Sequence, residues 1–126
     1  MPAEATAVVE RYFACMRAGD VAVAELFHLD ARLIGLGRIV DGRAAIAQFY
    51  AASIALARPQ PRLLGPWLVA GERVAVELMV EIVNRDRAAA ELGVDVAATP
   101  PMHVMDLFVV ADGLIRSLTY FVADHP

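Results

Sequence analysis

The stretch Met102-His103-Val104-Met105-Asp106-Leu107-Phe108-Val109-Val110-Ala111-Asp112-Gly113-Leu114-Ile115-Arg116-Ser117-Leu118-Thr119-Tyr120-Phe121-Val122 decides the fold. Two apolar runs flank Asp112-Gly113, a dipeptide that tolerates the left-handed backbone of a tight hairpin turn. The pattern predicts strands over Met102 to Ala111 and Leu114 to Val122. Upstream, Gly71-Glu72 is a second tight turn, opening a long strand from Arg73 to Asn84. There Val74, Val76, Leu78, Val80 and Ile82 alternate with Ala75, Glu77, Met79, Glu81 and Val83, the period of two that a strand imposes. Arg62 to Ala70 makes a further strand before that turn. The small and polar residues from Arg85 to Pro100 read as a long hairpin loop.

The amino-terminal half carries the other period. Val9, Tyr12, Phe13 and Met16 recur at helical spacing, and Gly19 ends that helix. Asp20 caps a short second helix running to about Phe27. A brief strand over Ala31 to Leu36 follows. Asp41-Gly42 then opens a third helix with Ile46, Phe49, Tyr50 and Ile54 on one face, ending before Pro59. Helices first and a meandering sheet afterwards is the α+β order. No linker or repeat divides the 126 residues, so one domain spanning 1–126 is expected.

A hydrophobic fraction of 59% is high for so small a body, and implies that apolar residues line an internal pocket or a subunit interface. No apolar run approaches the roughly 18 residues a membrane-spanning helix needs. No signal-type amino terminus stands out either, so a cytoplasmic protein is expected. The net charge of −4, with every basic residue an Arg and no basic stripe, argues against nucleic acid as a partner. The single Cys15 excludes an internal disulfide and reads as an inert, buried thiol. Phosphate-binding loops, nucleophile elbows and metal-spaced His/Cys clusters are missing, and His28, His103 and His125 are far apart. Neither a metal nor a cofactor is expected.

Asp106 is the only charged residue in the run from Met102 to Val110. A strand apolar on both faces is buried on both, and burial disfavours the carboxylate and raises its pKa. An un-ionised carboxyl can donate to an oxyanion or protonate a leaving oxygen. The alternative is an Asp106 paired with an Arg or with backbone amides at a bulge. Tyr12 and Tyr50, each on the inward face of its helix, read either as core tyrosines or as donors in the same pocket.

Ala7-Val8-Val9-Glu10-Arg11-Tyr12, Ala18-Gly19-Asp20, Leu26-Phe27, Asp30-Ala31 and Gly42-Arg43-Ala44-Ala45-Ile46, with Phe49-Tyr50-Ala51, resemble the amino half of bacterial ketosteroid isomerase. Asp106-x-Phe108 and Asp112-Gly113-Leu114-Ile115 agree more loosely with its carboxy half. The opening motifs are shared with the wider nuclear-transport-factor-like and SnoaL-like proteins. The resemblance implies a cone-shaped, cystatin-like roll: three helices against a highly curved mixed or antiparallel sheet, a pocket inside, and a homodimer. It also implies an oxyanion hole in which Tyr12 and a protonated Asp106 donate, with Tyr50 in support. The family's proton-shuttling aspartate aligns with Gly35, which has no side chain.

Glu77 and Glu81, with Met79 between them, fall by that alignment on the pocket face, where either glutamate would replace the base. Periodicity alone puts them on the solvent face. Trp67, Phe108, Leu118 and Tyr120 are expected as pocket or core residues. The function expected is an isomerase, cyclase or epoxide hydrolase that polarises a carbonyl or epoxide oxygen of a hydrophobic, steroid- or polyketide-like substrate. The alternative is a binding or dimeric interaction module of the same fold.

Overall fold

A computed structural model describes residues 2–82 and 101–123. The expected loop from Arg85 to Pro100, the end of the strand at Val83 and Asn84, and His125 lie outside the described residues. Helix α1 (Pro2–Ala18) is followed by a 3₁₀ turn (Val21–Leu26), strands β1 (Phe27–Gly35) and β2 (Arg38–Asp41), and helix α2 (Arg43–Leu56). Then come β3 (Pro59–Leu63), β4 (Leu68–Ala70), β5 (Arg73–Ile82), β6 (Met102–Ala111) and β7 (Leu114–Val122).

The strands form one mixed sheet in the order β2-β1-β7-β6-β5-β3, with β4 also on β5. Only β1 and β7 run parallel; the other pairs are antiparallel. Helix α1 packs across β3 to β6 and α2 across β1 and β2, so both helices cover the same face. That face is apolar because the strand pleat sends alternate residues to it. Val74, Val76 and Leu78 of β5, with Val104, Phe108 and Val110 of β6, are buried against Val8, Val9, Phe13 and Met16 of α1. No described helix is long and apolar enough to cross a membrane.

The α+β class holds, with three local differences from the sequence pattern. The second helix is a 3₁₀ turn, capped by Asp20, whose carboxylate accepts from the Ala22 N–H at 2.9 Å. Six residues containing Val21 and Val23 are too short and too β-branched to sustain an α-helix against tertiary demand. Strand β1 begins at Phe27 rather than Ala31, drawn into the sheet by its pairing with Ile115 of β7, and it continues through a hairpin into β2. The strand expected over Arg62 to Ala70 is two strands, divided at Gly65-Pro66. Pro59 and Pro61 lie in β3 at the sheet edge, where missing N–H groups cost no ladder bond.

Phe108 is fully buried beneath the edge-on rings of Tyr12 and Phe13, 5.1 and 5.7 Å away between centroids. Phe108→Ala is expected to cost about 3–5 kcal/mol of unfolding free energy in urea titrations. Phe121→Ser, at an exposed outward position of β7, should cost less than about 1 kcal/mol.

Candidate active site

Helix α1 aims Tyr12 at the sheet, α2 aims Tyr50, and β7 aims Tyr120, so that three phenols meet at one point. Tyr12 Oη lies 2.9 Å from Tyr50 Oη and 3.2 Å from Tyr120 Oη, and the Tyr50–Tyr120 contact is 2.6 Å. Burial raises all three phenol pKa values. Tyr120 adds to that for both Tyr12 and Tyr50, and a charge on Asp106 raises each of the three further. The hydroxyls therefore stay protonated and act as hydrogen-bond donors.

Beside them stands Asp106. It is 2% exposed, and pleating places it directly across from Tyr120 on the neighbouring strand. Its Oδ1 is buried with no hydrogen-bond partner among the described residues. Desolvation raises its pKa from 3.8 to about 8. No Arg pairs with it among the described salt bridges, which sets aside the ion-pair alternative.

Tyr12, Tyr50, Tyr120 and Asp106 border one cavity of about 110 Å³. Its remaining wall is apolar apart from Ser53, with Phe13, Met16, Leu78, Val80 and Val104 among the contributors. A space of this order holds a single ring. Among the described residues there is no group of three or more His, Cys, Asp or Glu able to hold a metal ion.

The other expected site residues are placed as follows. Phe108 and Leu118 are fully buried core residues behind the wall, and Trp67 packs on Phe13 at 6.1 Å; none of the three borders the cavity. Glu77, Glu81 and Met79 are corrected: they do not enter the pocket. Because Leu78 and Val80 point inward, their neighbours on β5 must point outward. Glu77 instead pairs with His103 of β6, and Glu81 lies 3.5 Å from Arg62 of β3.

Gly35 does not border the cavity either, and its role is steric. Its φ is +143°, and a Cβ built there would sit 2.8 Å from both Cβ and the carbonyl oxygen of Tyr120. The position aligned with a catalytic aspartate is thus filled by the backbone of β7. Tyr120, expected as a pocket or core residue, borders the cavity, but sequence reasoning did not join it to the other two phenols. That reasoning also missed Leu36 in a turn, Pro59 and Met102 at strand starts, Pro61 within β3 and Ser53 within α2, all of which border the cavity.

Two helices on one face of a mixed sheet thus enclose a largely apolar cavity bordered by a buried acid and three phenols. The chain belongs to the SnoaL-like domain family, whose model matches residues 9–118. It is similar in structure to a candidate polyketide cyclase from Sinorhizobium meliloti, with 23% identity, a TM-score of 0.73, and 90% of this chain and 93% of that one covered. It is also similar to SalBIII, an epoxide hydrolase/cyclase-like enzyme in pyran ring formation in the polyether salinomycin (24%, TM-score 0.74, 94% and 90% covered). A candidate ketosteroid isomerase from Kribbella flavida matches at 17% identity and TM-score 0.76, with 99% and 82% covered. None of the curated proteins matches the chain significantly.

Asp106 also makes stability depend on pH. The unfolded chain releases this proton near 3.8 and the folded chain near 8, so the folded state holds more protons between those values. Stability therefore falls as pH rises from about 4 to about 8, by at most about 1.4 kcal/mol per unit. Asp106→Asn should remove that slope, which urea titrations across the range will measure; parallel curves for the two proteins would contradict a buried neutral acid. Gly35→Asp should lower the melting temperature, because the new side chain collides with Tyr120 rather than entering the cavity.

Proposed function

We propose that the protein is an enzyme that opens or polarises a C–O bond of a hydrophobic small molecule, with Asp106 as the acid. The single observation that carries this reading is a carboxyl 2% exposed, without a partner for Oδ1 among the described residues, bordering a largely apolar cavity. Such a group is costly to bury, and its proton is placed to meet a ligand oxygen. In an epoxide substrate, the Asp106 proton passes to the ring oxygen as the C–O bond breaks. The substrate's own hydroxyl forms the new C–O bond and returns its proton to the Asp106 carboxylate. Tyr12 donates to the same oxygen, and Tyr50 and Tyr120 hold Tyr12 in place.

Cyclisation is favoured over hydrolysis and over steroid isomerisation, because no second carboxylate among the described residues borders the cavity. A tethered hydroxyl is held in place by the substrate itself, whereas a free water must be positioned and activated, and a carbon-to-carbon proton transfer must be shuttled, by a second base. The family membership and the cyclase-like structural neighbours agree with this choice. A second reading, a cone that binds its ligand without turnover, rests on Gly35, where the aligned base is replaced by the backbone of β7.

Single-ring hydroxy-epoxides of graded chain length, followed to cyclic ethers by gas chromatography, discriminate the two. The enzyme reading expects catalysed closure that declines as pH rises through about 8. Asp106→Asn should reduce turnover by about 10²-fold or more and Tyr12→Phe by about tenfold or more. Ligand binding by calorimetry with no product on prolonged incubation would leave only the binding cone.

A further inference from the structure

Strands β1 and β2 are joined by two residues, Leu36 and Gly37, between the paired Gly35 and Arg38. Both are left-handed, at φ 54° and 77°, which is the geometry of a type I′ turn. Asn, Asp or Gly ordinarily occupies the first of these positions, because a Cβ there crowds the following carbonyl. A leucine is a poor choice on backbone grounds. It is also poorly buried: Leu36 is 54% exposed, and it is not among the side chains packed on the core. Neither turn chemistry nor core packing accounts for it.

Its location does. Leu36 borders the cavity that holds Asp106 and the three tyrosines, and among the described bordering residues it alone is exposed. The turn is also tethered, since the Arg38 guanidinium carbon sits 5.8 Å from the centre of the Phe49 ring, another residue of the cavity wall. An apolar side chain held in an unfavourable backbone state at the mouth of an apolar cavity has an unmet hydrophobic face.

We infer that Leu36 is a specificity-determining residue: it closes over the apolar tail of a ligand whose oxygen-bearing ring reaches Asp106. The inference rests on the functional reading above and adds the chemistry of the ligand's outer end. The substrate class is a single oxygenated ring, or a segment that forms one, continued by an alkyl or polyketide-like chain that leaves beneath the β1–β2 turn. A ligand that ended at the ring would leave Leu36 in water, whereas one with a tail covers it.

Para-substituted phenols, from phenol itself to 4-pentylphenol, test this by titration calorimetry on the whole protein. The wild type should gain up to about fourfold in affinity for each methylene that is fully covered. Leu36→Asn suits the left-handed turn, so it should melt at or above the wild-type temperature while losing at least half of that gain per methylene. Its affinity for unsubstituted phenol should be unchanged. Leu64→Asn, an exposed leucine that does not border the cavity, should keep the full dependence on tail length. An unaltered dependence in Leu36→Asn overturns the inference, as does a melting temperature lowered with no change in tail preference. Phenol affinity indifferent to Asp106→Asn overturns instead the functional reading of the inner end.

Discussion

Between Val109 and Val110 the pairing of β6 with β7 slips by one residue, and that slip decides which side chains of β7 look into the cavity. Near the turn the partners are Ala111 with Leu114 and Val110 with Ile115; beyond it, Val109 faces Ser117 and Asp106 faces Tyr120. An unbroken ladder from Asp112-Gly113 would have set Thr119 opposite Asp106 and sent Tyr120 to the outer face, because strand side chains alternate. The bulge therefore brings the third phenol to Tyr12 and Tyr50. The same backbone segment lies against Gly35, where no Cβ fits. One irregularity both completes the phenol cluster and removes the space for a base.

The buried carboxyl is tolerated because the fold around it is built on rings and aliphatic side chains with no polar demand of their own. Tyr12 meets Phe13, Phe27, Tyr50 and Phe108 edge-on, and each such pair adds about 0.5–1.5 kcal/mol beyond the area it buries. These contacts fix the phenols from behind, leaving their oxygens to face one another at the cavity that Asp106 also borders. A stable scaffold can then carry one group whose desolvation is unfavourable. Desolvation is what raises the Asp106 pKa and favours its neutral form, while a charge there would only keep the three phenols more firmly protonated.

The helices and the β5–β7 strands were legible because long periodic segments bury one face, and Tyr12, Tyr50 and Asp106 sit at core positions of those periods. Tyr120 was legible as a pocket aromatic, but its meeting with Tyr12 and Tyr50 was not, because a bulge leaves no mark in the pattern around Ser117. Glu77 and Glu81 show the opposite case. Period two set them on the outer face, where the structure has them, whereas the resemblance placed them in the pocket. The hairpin at Leu36 was hidden by its chemistry, since a leucine gives no signal of a left-handed turn.

The phenol triangle has a consequence for the order in which protons can move. Three hydroxyls carry three protons, and a closed ring of three contacts uses all of them. A ligand oxygen can receive one only if an edge opens, and the longest edge, 3.2 Å between Tyr12 and Tyr120, is the weakest. Asp106 has no such prior engagement at Oδ1. In the reaction proposed above, the carboxyl would therefore donate before a phenol, because a phenol joins only as the ligand displaces one of its neighbours, and that order leaves no buried hydroxyl unpaired.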